Sequence, residues 1–232
     1  MAAKTVCLLS GGMDSTTLLY HLIDMGDEVL ALSFDYGQRH QKELEFAARA
    51  CARLSVAHKV VDLGGVSELL HGSALTSPNV KVPHGHYEDQ SMKSTVVPNR
   101  NMILMSIAGG YAVAEGCGRL AVAVHGGDHA VYPDCRPQFI AGFEAVLQSG
   151  NYGRVSVYVP FLNWTKTDIA RLGLKLGIDY ERDTWSCYEG GELPCGKCGT
   201  CVERAEALAA AGDSGNIPGN NHERRLEIQT KD

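Results

Sequence analysis

The sequence contains no apolar run near the roughly 18–20 residues that a membrane-spanning helix needs. Its first apolar stretch, around Val6-Cys7-Leu8-Leu9, stops at Ser10 and is too short for a signal-peptide core. Basic charge is also scarce. Lys and Arg number 21 against 27 Asp and Glu, a formal net charge of −6, which argues against a protein gripping nucleic acid through a broadly basic surface. No internal repeat is found. A cytoplasmic, reducing setting is expected, where the 8 cysteines are thiols or metal ligands and not disulfides.

What remains is an ordinary globular composition, 232 residues with 44% hydrophobic and 21% charged side chains. That length suits one large domain with a small appendage. Thr5 to Leu9 reads as a buried strand, and Leu18, Leu19, Leu22 and Ile23 mark a helix closed by Gly26. A strand over Glu28 to Phe34 follows, then a helix striped by Leu44, Ala47, Ala48 and Cys51, then a strand over His58 to Leu63. Gly64 to Pro98 breaks the pattern, as a functional or mobile insertion does. Helices are expected over Asn101 to Glu115, Gln138 to Leu147, Lys166 to Leu176 and Cys201 to Ala211, and strands over Leu120 to Val124 and Val155 to Val159. The alternation predicts an α/β fold, an open parallel sheet with helices on both faces. The expected organisation is an α/β domain over 1–184, a cysteine-bearing segment and helix over 185–211, and a disordered tail over 212–232.

Ser10-Gly11-Gly12-Met13-Asp14-Ser15 joins the first strand to the first helix. Ligands of an open parallel sheet bind beyond the strand carboxyl ends, where backbone N–H groups and a helix N-terminus favour an anion. Two glycines allow close approach to phosphate, and Ser10 and Ser15 add hydroxyls. The Walker Gly-Lys-Ser/Thr and the Gly-x-Gly-x-x-Gly fingerprint are both missing here. A plain helix cap on a tight turn is the alternative.

Cys187, Cys195, Cys198 and Cys201 crowd into 15 residues and supply the four thiolates of a tetrahedral structural Zn²⁺. Free redox thiols and an iron–sulfur cluster are the alternatives. Arg100, after Val97-Pro98-Asn99, is suited to a carboxylate or phosphate, though Pro98 and the asparagines also start a helix. Asp134 suits the paired N–H donors of a guanine-type edge or an ordinary N-cap. Arg136 lies in the same Tyr132-Pro133-Asp134-Cys135-Arg136 run. Lys166, at a helix start, is placed to touch phosphates or simply to be solvated.

Ser-Gly-Gly-x-Asp-Ser at this position resembles the PP-loop of the N-type ATP pyrophosphatases. Together with Phe34-Asp35-Tyr36-Gly37-Gln38-Arg39-His40, Val97-Pro98-Asn99-Arg100-Asn101, Tyr132-Pro133-Asp134-Cys135-Arg136 and Cys187-Tyr188 ahead of Cys195-Gly-x-Cys198-x-x-Cys201, it resembles the 7-cyano-7-deazaguanine synthase (QueC) family of queuosine biosynthesis from about Lys4 to Ala211. The resemblance implies an adenine nucleotide alpha hydrolase-like, Rossmann-like fold. It implies ATP-dependent ligation of 7-carboxy-7-deazaguanine with ammonia through adenylate and amide intermediates to the nitrile. ATP is then expected along Leu9, Ser10, Gly11, Gly12, Met13, Asp14, Ser15, Thr16, Thr17, Leu18 and Leu19. Asp14, Ser15 and Lys166 would serve catalysis, and Arg100, Asp134 and Arg136 the acid. Expected partners are these small molecules with Mg²⁺ on ATP and one Zn²⁺ per chain, without nucleic acid or membrane. Oligomeric state stays open, a homodimer being one option. Val124 to Val131 departs from the stretch common in the family, so the purine analogue or the extent of reaction is open there. A tRNA-modifying PP-loop enzyme and a non-catalytic zinc-ribbon binding protein are the rival readings.

Overall fold

The structure, a computed structural model, describes residues 2–67, 69–86 and 90–212. Five parallel strands, β1 (Lys4–Leu8), β2 (Glu28–Asp35), β3 (Ala57–Asp62), β4 (Arg119–Ala121) and β5 (Ser156–Tyr158), form one sheet in the order β3-β2-β1-β4-β5. The helices between them are α1 (Met13–Asp24), α2 (Lys42–Leu54), the short α3 (Gly64–Ser67), α4 (Arg100–Ala114), α5 (Pro137–Gly150) and α6 (Lys166–Lys175). The one-turn α7 (Tyr180–Asp183) and α8 (Gly199–Gly212) are the last helices among the described residues. The strand order reverses between β1 and β4, and a crevice opens there at the strand carboxyl ends.

Alternation along the strands divides the core in two. Val6, Leu32 and Leu120 face α4 and α5, whereas Cys7, Ala31 and Ala121 face α1, α2 and α6. The expected sheet with helices on both faces is therefore present. Two local expectations shift. The buried face of α2 is Phe46, Ala47, Ala50 and Cys51, and Ala48 points outward. The expected strand to Val124 stops at Ala121. β3 is an edge strand, with Val60 52% exposed.

At the junction of β1 and β4, the buried Asp27 carboxylate accepts from Thr5 Oγ1 at 2.8 Å, the Ala3 amide at 3.0 Å and Arg119 Nη1 at 2.8 Å. The irregular Gly64 to Pro98 segment is tied over the strand ends where it is described. Arg39 Nη2 donates to the carbonyls of Ser77 and Val80 at 2.9 and 3.0 Å, and Leu75, Met92 and Val97 enter the core. The tail expected from residue 212 lies outside the described residues, apart from Gly212 at the end of α8. Among the described residues no helix is long and apolar enough to cross a membrane.

Candidate active site and metal centre

The loop after β1 is held in shape by its own hydroxyls. Ser10 Oγ accepts from the Gly12 amide at 3.1 Å and lies 3.0 Å from Ser15 Oγ, which accepts from the Ser10 amide at 3.1 Å. Gly11 has φ +91° and packs beneath α2, where a Cβ would overlap the Glu43 carbonyl oxygen. The Gly11 carbonyl accepts from the Trp185 amide at 3.0 Å. Gly12 caps α1, so the amides of Met13, Asp14 and Ser15 open the helix without intrahelical acceptors. Of the residues expected along ATP, Leu9, Ser10, Gly12, Met13, Asp14 and Ser15 line a cavity of about 240 Å³. Thr16, Thr17, Leu18 and Leu19 are fully buried behind it. Leu18 and Leu19 pack into the core, and Thr17 Oγ1 contacts Tyr180 OH at 2.7 Å.

Lys166 is the first residue of α6, placed there by a reciprocal cap. The Thr165 hydroxyl accepts from the Asp168 amide at 3.2 Å, and Asp168 Oδ2 accepts from the Thr165 amide at 3.1 Å. Lys166 Nζ lies 2.6 Å from Asp14 Oδ2, 3.3 Å from Glu203 Oε2 and 3.4 Å from His125 Nε2. Burial alone would lower the Lys166 pKa, but Asp14, Glu203 and Asp128 outweigh it and raise it, so the ammonium is charged. Burial pushes Asp14 up, yet Lys166 and His125 hold it below the usual carboxylate value. The fully buried His125 accepts from the Gly127 amide through Nδ1 at 3.1 Å and caps a 3₁₀ turn over Gly126–Ala130. The Val124 to Val131 stretch is thus part of this charged cluster.

The cavity is also lined by Tyr36, Gln38, His40, Glu43, Arg100 and Tyr132, with Glu43 beside the loop. Burial pushes Glu43 up to about 8 and His40 down to about 3. Of the three residues expected for the acid, Arg100 faces the cavity, with its guanidinium 5.9 Å from the Tyr132 ring centroid. Asp134 Oδ2 instead accepts from the Asn101 amide at 3.0 Å at the start of α4, and the exposed Arg136 donates to the His129 carbonyl at 2.9 Å. Neither lines the cavity. Burial pushes the Cys135 thiol well up, which leaves little thiolate for nucleophilic attack at neutral pH.

The four sulfurs of Cys187, Cys195, Cys198 and Cys201 lie within 4.8 Å of one another. A Zn²⁺ with tetrahedral Zn–S bonds of about 2.3 Å sets its sulfurs about 3.8 Å apart, and Cys195 Sγ and Cys201 Sγ are 4.0 Å apart. The Lys197 and Cys198 amides donate to Cys195 Sγ at 3.4 and 3.3 Å, an arrangement that stabilises a thiolate. The donor set fits zinc.

The family model of the queuosine biosynthesis protein QueC matches residues 4–212. The chain belongs to the QueC family. Relatives named 7-cyano-7-deazaguanine synthase include one from Hahella chejuensis, 54% identical over 88% of this chain and 88% of its own length. One from Pseudoalteromonas translucida is 52% identical over 90% of this chain and 94% of its own. A third, from Methanoregula boonei, is 52% identical over 90% and 95%. The NMN synthetase of Francisella tularensis shares the fold, with a TM-score of 0.50 at 15% identity over 96% of this chain and 82% of that one.

Sequence reasoning flagged the QueC motifs, the loop and the unusual Val124 to Val131 stretch, without giving His125 or Asp128 a role, and missed Glu43 and Glu203 as site groups. Glu43 reads as a routine acidic residue in a helix first turn. The other three acquire meaning only through contacts with Lys166 or with one another.

Proposed function

We propose that this QueC-family enzyme converts 7-carboxy-7-deazaguanine and ammonia to 7-cyano-7-deazaguanine with ATP, in queuosine biosynthesis. The observation that carries the reading is the Ser10–Ser15 loop opening, beside Lys166, into a cavity that Arg100 also lines. In the first round a carboxylate oxygen of the acid attacks the α-phosphorus of ATP, and pyrophosphate leaves. The ammonia nitrogen then attacks the acyl carbon, AMP leaves with the C–O electron pair, and the amide forms. In the second round the amide oxygen is adenylated. Loss of AMP and of the two nitrogen-bound protons leaves the nitrile.

The chain's own groups divide this work. The loop amides and Lys166 bind the β- and γ-phosphates and counter the charge of departing pyrophosphate. Ser10 and Ser15 keep the loop preshaped, while Arg100 orients the carboxylate. Asp134 and Arg136 act on the acid through α4 and the loop before α5. Asp14 Oδ1 is a buried oxygen without a hydrogen-bond partner, which suits it to Mg²⁺. Bound there, Mg²⁺ supplies charge neutralisation to the phosphates. One Zn²⁺ per chain is assigned to the four cysteines.

A cytoplasmic homodimer is the proposed form. Sedimentation of a single monomer species at micromolar concentration overturns the dimer. For the reaction, protein, ATP, Mg²⁺, ammonium and the acid are incubated and products weighed by mass spectrometry. Nitrile with AMP is expected. Amide alone shows a reaction halted after one round, and absence of AMP removes the proposal.

A further inference from the structure

A closed four-sulfur shell leaves no coordination position for chemistry, so what it contributes lies in what its segment holds in place. Three contacts run from that segment to the glycine loop and the helices beside it. The Trp185 amide, two residues before Cys187, bonds the Gly11 carbonyl. Arg204 donates to Thr184 Oγ1 at 2.7 Å and to the Tyr180 carbonyl, and Tyr180 OH contacts Thr17 in α1. Glu203, two residues after Cys201, places Oε2 at 3.3 Å from Lys166 Nζ.

Two residues correspond to about 200° around a helix. α8 therefore presents Cys201 on one side and Glu203 nearly opposite, so a helix anchored at the sulfurs has its carboxylate aimed by that anchor. The Glu203 side chain is only 15% exposed, and a Cβ added to Gly127 would come 3.3 Å from its Oε1. The carboxylate sits in a fitted slot where its charge is weakly screened. Asp14, the nearest carboxylate to Lys166, belongs to the loop that phosphate and Mg²⁺ engage. Glu203 comes from outside that loop.

We propose that Glu203 is a positioning residue that fixes the Lys166 ammonium over the phosphate loop, and that the four-cysteine cluster is what fixes Glu203. This rests on the reading of Lys166 as a phosphate-binding group.

The test uses the full-length, zinc-loaded protein. Glu203→Ala is expected to keep its zinc and to change the ATP Kd less than about threefold. AMP formation from the acid should slow at least about tenfold, since a displacement near 1 Å in a reacting site costs up to about a hundredfold. Glu203→Asp should recover most of the rate. Labelling of Lys166 by an amine-reactive reagent, read by peptide mass spectrometry, should quicken in Glu203→Ala. In the wild type it should quicken as a chelator withdraws zinc, before the far-UV circular dichroism changes. Wild-type AMP formation by Glu203→Ala, or a loss that parallels zinc loss and is not recovered by Asp, overturns the positioning role. Lys166 labelling that rises only with unfolding overturns the link to the cysteines. A wild type that forms no AMP from the acid is a different outcome and refutes the functional reading itself.

Discussion

Replacing Gly11 by Ala perturbs the phosphate loop in two separable ways. Gly11 has φ +91°, and an L residue in left-handed backbone costs about 1–2 kcal/mol. The new Cβ would also overlap the Glu43 carbonyl oxygen and lie 2.8 Å from the Ala47 amide nitrogen. Both are backbone atoms of α2, so no side-chain rotation relieves the collision, and overpacking of this kind adds about 1–3 kcal/mol. The sum is about 2–5 kcal/mol. In a chain of this size each kcal/mol moves Tm by about 2–4 °C, so a fall of about 4–20 °C is expected. Gly26→Ala is the control, with φ +82° and nothing within 4 Å of its Cβ. It carries only the conformational part, about 1–2 kcal/mol, and the excess of Gly11→Ala over it measures the collision. Melting is followed by Trp fluorescence with and without MgATP, which stabilises by about 2.7 kcal/mol at a hundred times Kd. In Gly11→Ala that gain should shrink, because the loop must move to admit the methyl group. A Gly11→Ala protein that melts like Gly26→Ala and gains as much from MgATP as the wild type refutes the reasoning.

Cys198→Ala should lose zinc and at least about 3 kcal/mol of stability, a fraction of the about 10–16 kcal/mol that structural zinc supplies in zinc-finger peptides. Full metal content by elemental analysis together with unchanged Tm would remove the four-thiolate site. Asp27→Ala strands Arg119 and two further donors at the β1–β4 junction. It should cost about 3–5 kcal/mol, and a urea midpoint near wild type contradicts that. Burial holds Glu43 at about 8, above the 4.5 of a free Glu. Its raised pKa means that the folded protein binds the proton more tightly than the unfolded chain does. The associated stability is complete below about pH 4.5 and is lost as pH rises through about 8. His40, depressed to about 3, acts with the opposite sign between 6.5 and 3 and is common to both proteins. Glu43→Gln should therefore gain on the wild type in urea midpoint from pH 5 to pH 8, whereas parallel curves show that Glu43 does not titrate in this way.

Much of the scaffold was legible because its signals are local. The strand expected over Thr5 to Leu9 is β1 at Lys4–Leu8, and the helix expected over Lys166 to Leu176 is α6 at Lys166–Lys175. The strand expected over Leu120 to Val124 ends early: the Val122 amide still bonds the Tyr158 carbonyl at 3.0 Å, but Val124 is buried outside the ladder. Asp134 was the more deceptive residue. Its neighbourhood suited both a cap and a substrate contact, and the packing of α4 against it places the carboxylate on the Asn101 amide.

By itself the sequence determined the α/β alternation, the loop after the first strand and the four-cysteine cluster. Each is written in neighbours that the backbone brings together over a few residues, through periodicity, glycine freedom and ligand spacing. Only the tertiary structure decided which charges meet. Asp14 and Lys166 are 152 residues apart in the chain and 2.6 Å apart in space, and Glu203 joins them from beyond the cysteines. The reversal of strand order at β1 and β4 and the docking of α8 bring those groups to one crevice. Such an encounter depends on long-range packing, for which a single chain carries no local signal.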